Sequence, residues 1–270
     1  MVDDIYTELA RQKPIAPTLG GVYATLVQAV EGREEAYNRW YEDDHFVVGG
    51  MSGPWVFSGK RYSRPDLPVL RSGEDAPREP GSFITLYFAL EGHVAETAGW
   101  IREMWHSLEG EGRGAKDRRH LYSAMHEVAF ERVFDPAPMR TIHALQFPYR
   151  SLVVEFYDSE EAAGRPALVE RLRADVVGTP RDLSGQCIAL TAPTMDDDRL
   201  GAFGWATDIL ARRVCLLWFL PDDPATALER VGGREDQAIA PSYRAVFAPT
   251  LPGTPTTVAP TRESEQRRTT

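Results

Sequence analysis

One order of elements (strand, helix, strand, strand, helix, strand) can be read twice along this chain at a nearly constant offset. In the first copy the β-rich run 22–27 precedes residues 32–48, where Tyr37, Trp40, Tyr41, Asp44 and Val48 recur at helical spacing. Gly49, Gly50, Gly53 and Pro54 predict the end of that helix and a turn. Residues 55–62 and 82–90 read as strands, separated by a polar excursion at 64–81 that holds Pro65, Pro68, Pro77 and Pro80. A second helix is expected at 92–108, with His93, Thr97, Trp100, Ile101, Met104, Trp105 and Leu108 on one side, and a fourth strand at 120–134. The second copy has strands at 151–157, 185–190, 214–220 and 243–247, helices at 167–177 and 224–231, and a long excursion at 191–212. Val22 and Leu152 stand 130 positions apart, as do Val56 and Gln186; Phe83 and Val214 stand 131 apart, as do His93 and Pro224. Identity between the copies is slight, so the repeat rests on order and spacing.

A unit with this order makes a four-stranded antiparallel sheet with both helices on one face. Its other face is bare and apolar, and such a face needs a partner. The strands are apolar on both alternations (Ile84, Leu86 and Phe88 against Phe83, Tyr87 and Ala89), as a sheet covered on both sides requires. The two copies are therefore expected to close sheet against sheet within one chain. The expected organisation is a site-bearing unit at 1–138, a degenerate second unit at 139–250, and a mobile tail at 251–270, rich in Pro and Thr.

Composition excludes several classes. With 43% hydrophobic and 26% charged residues the chain has an ordinary globular make-up. A net charge of −10 argues against a nucleic-acid partner, which needs a basic face. The start of the chain has no basic residues followed by an apolar run, and the longest apolar stretch, 214–220, is far short of the roughly 20 residues that span a bilayer. No membrane partner and a cytoplasmic location are expected. Cys187 and Cys215 fall in strands and read as small buried side chains.

His45 is the leading candidate for chemistry, because imidazole titrates near neutrality and can move a phenolic proton. Tyr41 and Tyr37, four and eight residues back, share its flank. Asp44 on the apolar side of the helix needs a partner, and orienting His45 would supply one; the alternative is a histidine favoured at a helix C-terminus, with Asp44 capping the turn. Arg61, if buried, would seek an anion or a carbonyl oxygen. Trp55, Tyr87 and Trp100 are expected to line a cavity between helices and sheet. In the run 120–126, alternation places His120, Tyr122 and His126 on one sheet face. The ends of that trio lie about 20 Å apart, too far for one metal ion, so no metal is expected, and Tyr122 and His126 remain pocket candidates. No phosphate loop, nucleophile elbow or metal-spaced cysteine pair is present.

The segment Tyr37-Asn38-Arg39-Trp40-Tyr41-Glu42-Asp43-Asp44-His45-Phe46 resembles the first helix of the dimeric α+β barrel superfamily. That group includes EthD-like proteins, antibiotic-biosynthesis monooxygenases and polyketide cyclases; its units are ferredoxin-like. The two-copy arrangement resembles the ring-opening oxygenases of angucycline pathways. Chlorite-dismutase-like haem proteins also fuse two such units, but no histidine follows His143 to serve as a proximal ligand in the second copy. The resemblance implies an α+β fold of tandem ferredoxin-like βαββαβ repeats forming an intramolecular dimeric α+β barrel. It implies an oxygenase acting on a polyphenolic or aromatic polyketide substrate, with His45 as base, Asp44 and Arg61 as supporting catalytic groups, and Tyr37, Tyr41, Trp55, Tyr87, Trp100, Tyr122 and His126 around the substrate. No tightly bound cofactor is expected, with O2 as oxidant, reduced flavin as a diffusible co-substrate, a flavin reductase as its source, and a homodimer as the assembly. A non-redox cyclase, dehydratase or decarboxylase would use the same pocket; a non-catalytic binding or scaffold protein is the third class.

Overall fold

The computed structural model describes residues 18–134, 139–178, 183–193, 207–233 and 239–254. The mobile tail expected at 251–270 lies largely outside these residues, as does most of the excursion at 191–212. The strands are β1 (Leu19–Ala29), β2 (Val56–Ser63), β3 (Leu70–Arg71), β4 (Phe83–Leu90), β5 (Arg118–Phe134), β6 (Ser151–Asp158), β7 (Gly185–Thr191), β8 (Arg213–Leu220) and β9 (Tyr243–Pro249). The helices are α1 (Glu34–Trp40, prolonged by wider turns at Tyr41–His45 and Val47–Met51), α2 (Val94–Gly110), α3 (Arg165–Gly178), α4 (Thr207–Arg212) and α5 (Pro224–Gly232).

Eight antiparallel strands close into a barrel in the order β2-β4-β1-β5-β7-β8-β6-β9, with β9 returning to β2. Within the first half the order is β2-β4-β1-β5, and within the second it is β7-β8-β6-β9. One seam is long: β5 and β7 pair from Glu127↔Thr191 to Phe134↔Gly185. The other is short, Tyr62↔Pro249 and Ser63↔Ala248, and the free edge of β9 is extended by β3 at Leu70↔Arg244 and Arg71↔Tyr243. That β3 lies in the segment expected to be pure excursion; pairing with β9 covers an edge that would otherwise stay open.

Alternation sorts each strand between two environments. Val22, Ala24, Leu26, Ile84, Leu86, Phe88, Leu152, Val154, Phe156, Leu217, Phe219 and Phe247 fill the barrel interior. An eight-stranded barrel is just wide enough for side chains to fill it. The opposite faces carry the helices: α1 and α2 over the first half, α3 and α5 over the second. In α2 the buried residues Val94, Thr97, Ala98, Ile101 and Leu108 keep helical spacing. Asp223 caps α5, its Oδ1 accepting from the Ala225 N–H at 3.1 Å and the Thr226 N–H at 3.2 Å, with Pro224 at the first helical position.

Two sequence expectations need correction. Gly49 and Gly50 do not end the first helix, which runs through them to Met51. Their loss of helix propensity is outweighed by packing: a Cβ on Gly50 would lie 2.3 Å from the Tyr87 ring, and one on Gly49 2.9 Å from the His45 ring. The stretch before β8 is not all excursion either, since Thr207–Arg212 is helical.

Candidate functional site

A cavity of about 30 Å3 lies between the outer face of the first half of the barrel and helices α1 and α2. Strand β1 supplies its floor through the outward alternation Tyr23, Thr25 and Val27, β4 adds Tyr87, and β5 adds Arg118 and His120. Ile101 and Trp105 of α2 form one wall. The opposite wall is a single file along α1: Tyr37, Tyr41, His45 and Gly49. In a regular α-helix a four-residue step overshoots one turn by about 40°, so such a file would wind away from the sheet. Here the chain widens to i→i+5 bonding, with the Phe46 N–H donating to the Tyr41 carbonyl and the Ser52 N–H to the Val47 carbonyl. The wider turn cancels the overshoot and keeps the file facing the cavity.

The His45 ring stacks on Trp40 (centroids 4.5 Å apart, planes 21°) and meets Tyr41 edge-on at 5.2 Å. Its Nδ1 is buried and has no hydrogen-bond partner. Burial, reinforced by Arg118, lowers the His45 pKa from 6.5 to about 4, so the ring is neutral at neutral pH. Across the file, the Tyr41 and Tyr87 hydroxyls are 3.1 Å apart, and the Tyr87 O–H reaches the Phe46 carbonyl at 3.4 Å. Burial raises the pKa of Tyr23, Tyr37 and Tyr87, which keeps these hydroxyls protonated. Arg118 is the charged residue lining the cavity, and among the described residues no carboxylate lines it.

A β-bulge shapes the floor. Register between β1 and β5 slips between Leu26↔Tyr122 and Val27↔His120, leaving Leu121 as the extra residue. Past the bulge His120 points outward beside Ser123, while Tyr122 and His126 point into the barrel. The expectation that His120, Tyr122 and His126 share one face is therefore corrected: one inserted residue reverses the alternation. On the outer face Arg118 donates from Nε to His120 Nε2 at 3.0 Å, His120 Nδ1 lies 3.0 Å from Ser123 Oγ, and Ser123 Oγ lies 2.6 Å from Thr25 Oγ1. Burial, with Arg118 adding to it, holds the His120 pKa down at about 3.

The sequence candidates scatter. Tyr37, Tyr41, His45 and Tyr87 come together on the cavity. Arg61 is buried behind it, its guanidinium 4.0 Å from the Phe83 ring centroid and 4.5 Å from that of Tyr41, donating to Asn38 Oδ1. Asp44 turns to the rim and pairs with Arg113, making no hydrogen bond to His45. Trp55 stacks on His93 at 3.6 Å, away from the cavity, and Trp100 packs over the edge of the Tyr23–Tyr87 cluster. Tyr122 and His126 bond to each other at 2.6 Å inside the barrel, where His126 Nδ1 also meets the Val22 carbonyl at 3.1 Å. Sequence reasoning passed over Tyr23, Thr25, Arg118, Ser123 and Trp105. The available signal was a polar pair, Tyr23 and Thr25, at alternate positions of the apolar middle of a strand.

No family model matches the chain, and no curated protein matches it. Solved structures do. An anthrone oxidase-like protein superposes with a TM-score of 0.52 at 13% identity, over 86% of this chain and 92% of that one. A dye-decolorizing peroxidase from Bacteroides thetaiotaomicron gives a TM-score of 0.48 at 11% identity, over 88% and 95%. A DypB variant of Rhodococcus jostii in complex with heme gives 0.47 at 12%, over 88% and 96%. At these identities the likeness concerns the fold, the α+β barrel of ferredoxin-like sheets.

The heme-bound neighbour corrects one expectation. That neighbour is in complex with heme, so the expectation of no tightly bound cofactor, with diffusible flavin as co-substrate, is not upheld. The residues around the cavity offer that group one ring nitrogen and little room. His45 offers an unpartnered buried ring nitrogen, but its ring is sandwiched against Trp40 and Tyr41, and the free space beside it is about 30 Å3. In the second half the corresponding layer is filled by Trp218, Glu155 and Arg244, and no histidine follows His143. Arranged in this way, the residues do not fit a haem.

Proposed function

We propose that the chain is an oxygenase of phenolic aromatic small molecules, polyphenolic polyketides among them, whose substrate binds in the cavity of the first of two duplicated βαββαβ units (1–138 and 139–250). The observation that carries this reading is His45 Nδ1, a buried ring nitrogen without a hydrogen-bond partner among the described residues, on a cavity wall of aromatic rings beside the cation Arg118. A neutral imidazole accepts a hydrogen bond from a phenol. Arg118 on the lining and Arg61 behind it favour the anion that forms when the proton leaves, and a phenolate beside His45 in turn offsets the burial that makes the ring hard to protonate. The phenolate is the electron-rich form from which oxidation by dioxygen starts. Tyr41 and Tyr87, paired at 3.1 Å, hold the substrate oxygen's other side. A cavity of about 30 Å3 takes one or two waters, so the ring enters by displacing the α1 wall outward, at the wide turns and Gly49–Gly50. The names of the structural neighbours, an anthrone oxidase-like protein and peroxidases, support an oxidative reaction.

The test is turnover of a panel of mono- and polycyclic phenols followed with an oxygen electrode and by product mass. Dioxygen uptake matched to product is the expected result. Equal turnover under anaerobic conditions would assign the pocket to non-redox cyclisation or dehydration, and the absence of both turnover and ligand-induced shifts would leave a non-catalytic protein.

A further inference from the structure

The polar groups on the cavity floor form a chain whose direction is set from one end. Arg118 can only donate. Its Nε–H points at His120 Nε2, so that nitrogen carries the lone pair and the proton of the neutral ring sits on Nδ1. His120 Nδ1–H therefore donates to Ser123 Oγ. Ser123 then has one proton left to give and one lone pair left to fill. Its hydrogen-bonded neighbour is the Thr25 hydroxyl at 2.6 Å, and the Tyr23 hydroxyl, on the same outward face of β1, is the next group it can reach. If Ser123 donates to Thr25, the Thr25 proton has no acceptor among the described residues. If Thr25 donates to Ser123, Ser123 donates to Tyr23 and the Tyr23 proton is left over. Either way one hydroxyl proton is in surplus, and both residues that can carry it line the cavity.

We propose that Arg118, acting through His120 and Ser123, fixes the polarity of the floor so that Thr25 and Tyr23 present a hydroxyl proton to the ligand. The floor thereby selects a ligand oxygen that accepts, a carbonyl, phenol or phenolate oxygen, over a group that only donates. Resting on the reading of the cavity as a phenol site, this gives one substrate oxygen two opposed contacts. Its proton goes to His45 Nδ1 and its lone pair receives the floor hydroxyl. Arg118, His120 and Ser123 are positioning residues; Thr25 and Tyr23 touch the ligand.

The first experiment needs no substrate. In protein labelled with 15N-histidine, the neutral His120 ring should show the Nδ1–H tautomer, assigned by loss of its signals in His120→Gln, whereas free imidazole side chains favour Nε2–H. Arg118→Met should release that preference. The second compares p-nitrophenol with p-nitroaniline, a ring of matched size whose amine donates and whose lone pair is delocalised. The wild type should bind the phenol about tenfold or more tighter, and the Thr25→Val, Tyr23→Phe double variant should lose most of that ratio. A wild-type His120 in the Nε2–H form overturns the proposal whatever the substrate is, as does an unchanged binding ratio in the double variant. An Nδ1–H ring in a protein that binds neither probe supports the fixed polarity and removes the phenol reading instead.

Discussion

The outer faces of the two halves solve one packing problem with different chemistry. In the first half Thr25 pairs with Ser123 across β1 and β5; in the second, Glu155 pairs with Arg244 across β6 and β9. Tyr87 of β4 has its counterpart in Trp218 of β8, 131 positions on. Glu155 is fully buried and accepts from Arg244 Nε at 2.7 Å and from Trp218 Nε1 at 2.8 Å, and the pair lies on the strands β6 and β9 that α5 packs against. A buried ion pair holds its place only when enclosed and fully bonded, so it closes the space around it. Two hydroxyls at 2.6 Å carry no charge to neutralise and can border open volume. Among the described residues, the cavity borders the half that carries the neutral pair, and the buried ion pair lies in the other half.

If the open half is the working half, His45→Gln should lower kcat/KM on an accepted phenol by roughly 10²- to 10⁴-fold, the usual size of a lost general base. Its melting temperature should change little, because the Trp40 and Tyr41 contacts are at a half-buried wall. Because His45 is held near pH 4, the acid limb of the wild-type profile should fall below pH 5, well under the ordinary imidazole range. Full activity in the variant would move the site elsewhere.

The half that holds the ion pair predicts the mirror result. Glu155→Gln removes the buried carboxylate charge that Arg244 Nε donates to and should cost about 3–5 kcal/mol in denaturant unfolding, while turnover per folded molecule stays at the wild-type level. A stability loss under 1 kcal/mol would mean that the pair is not the keystone of that layer.

The third contrast is in acid. His45, His120 and His126, with pKa values lowered to about 4, 3 and 4, all belong to the first half. Each is depressed below its unfolded value of about 6.5, so the unfolded chain binds up to three more protons. Their contribution to stability is complete above pH 6.5, declines as pH falls towards 4, and is gone below the folded values. Hydrogen exchange compared at pH 5 and 7.5 should show acid-enhanced opening in α1 and β5 but not in α3 and α5. Uniform acceleration would erase the distinction between the halves.

Much of this was legible in the chain. Strand and helix positions followed from periodicity, and the repeated spacing of 130–131 residues anticipated two halves with matching strand orders. The Tyr37, Tyr41, His45 file followed from a four-residue step on one helix. The floor did not, because the bulge at Leu121 reverses which face His120 takes, and an inserted residue leaves no mark on local composition. Asp44 read as a partner for His45, since its true partner, Arg113, lies 69 positions away in the turn after α2. Gly49 and Gly50 read as a helix stop because propensity is a local quantity, while the contact that asks for glycine at position 50 is Tyr87 on a different element, and at position 49 the His45 ring one turn back.

The sequence by itself determined the element order, the two-sided apolar strands and the aromatic flank of the first helix, all of which depend on repeat distances within one segment. Tertiary structure alone decided which half stayed open, how the wide turns aim His45, and that Arg118, His120, Ser123 and Thr25 form one directed chain. Those outcomes depend on register between strands, where a shift of one residue exchanges the two faces of a sheet and no single segment records which was chosen.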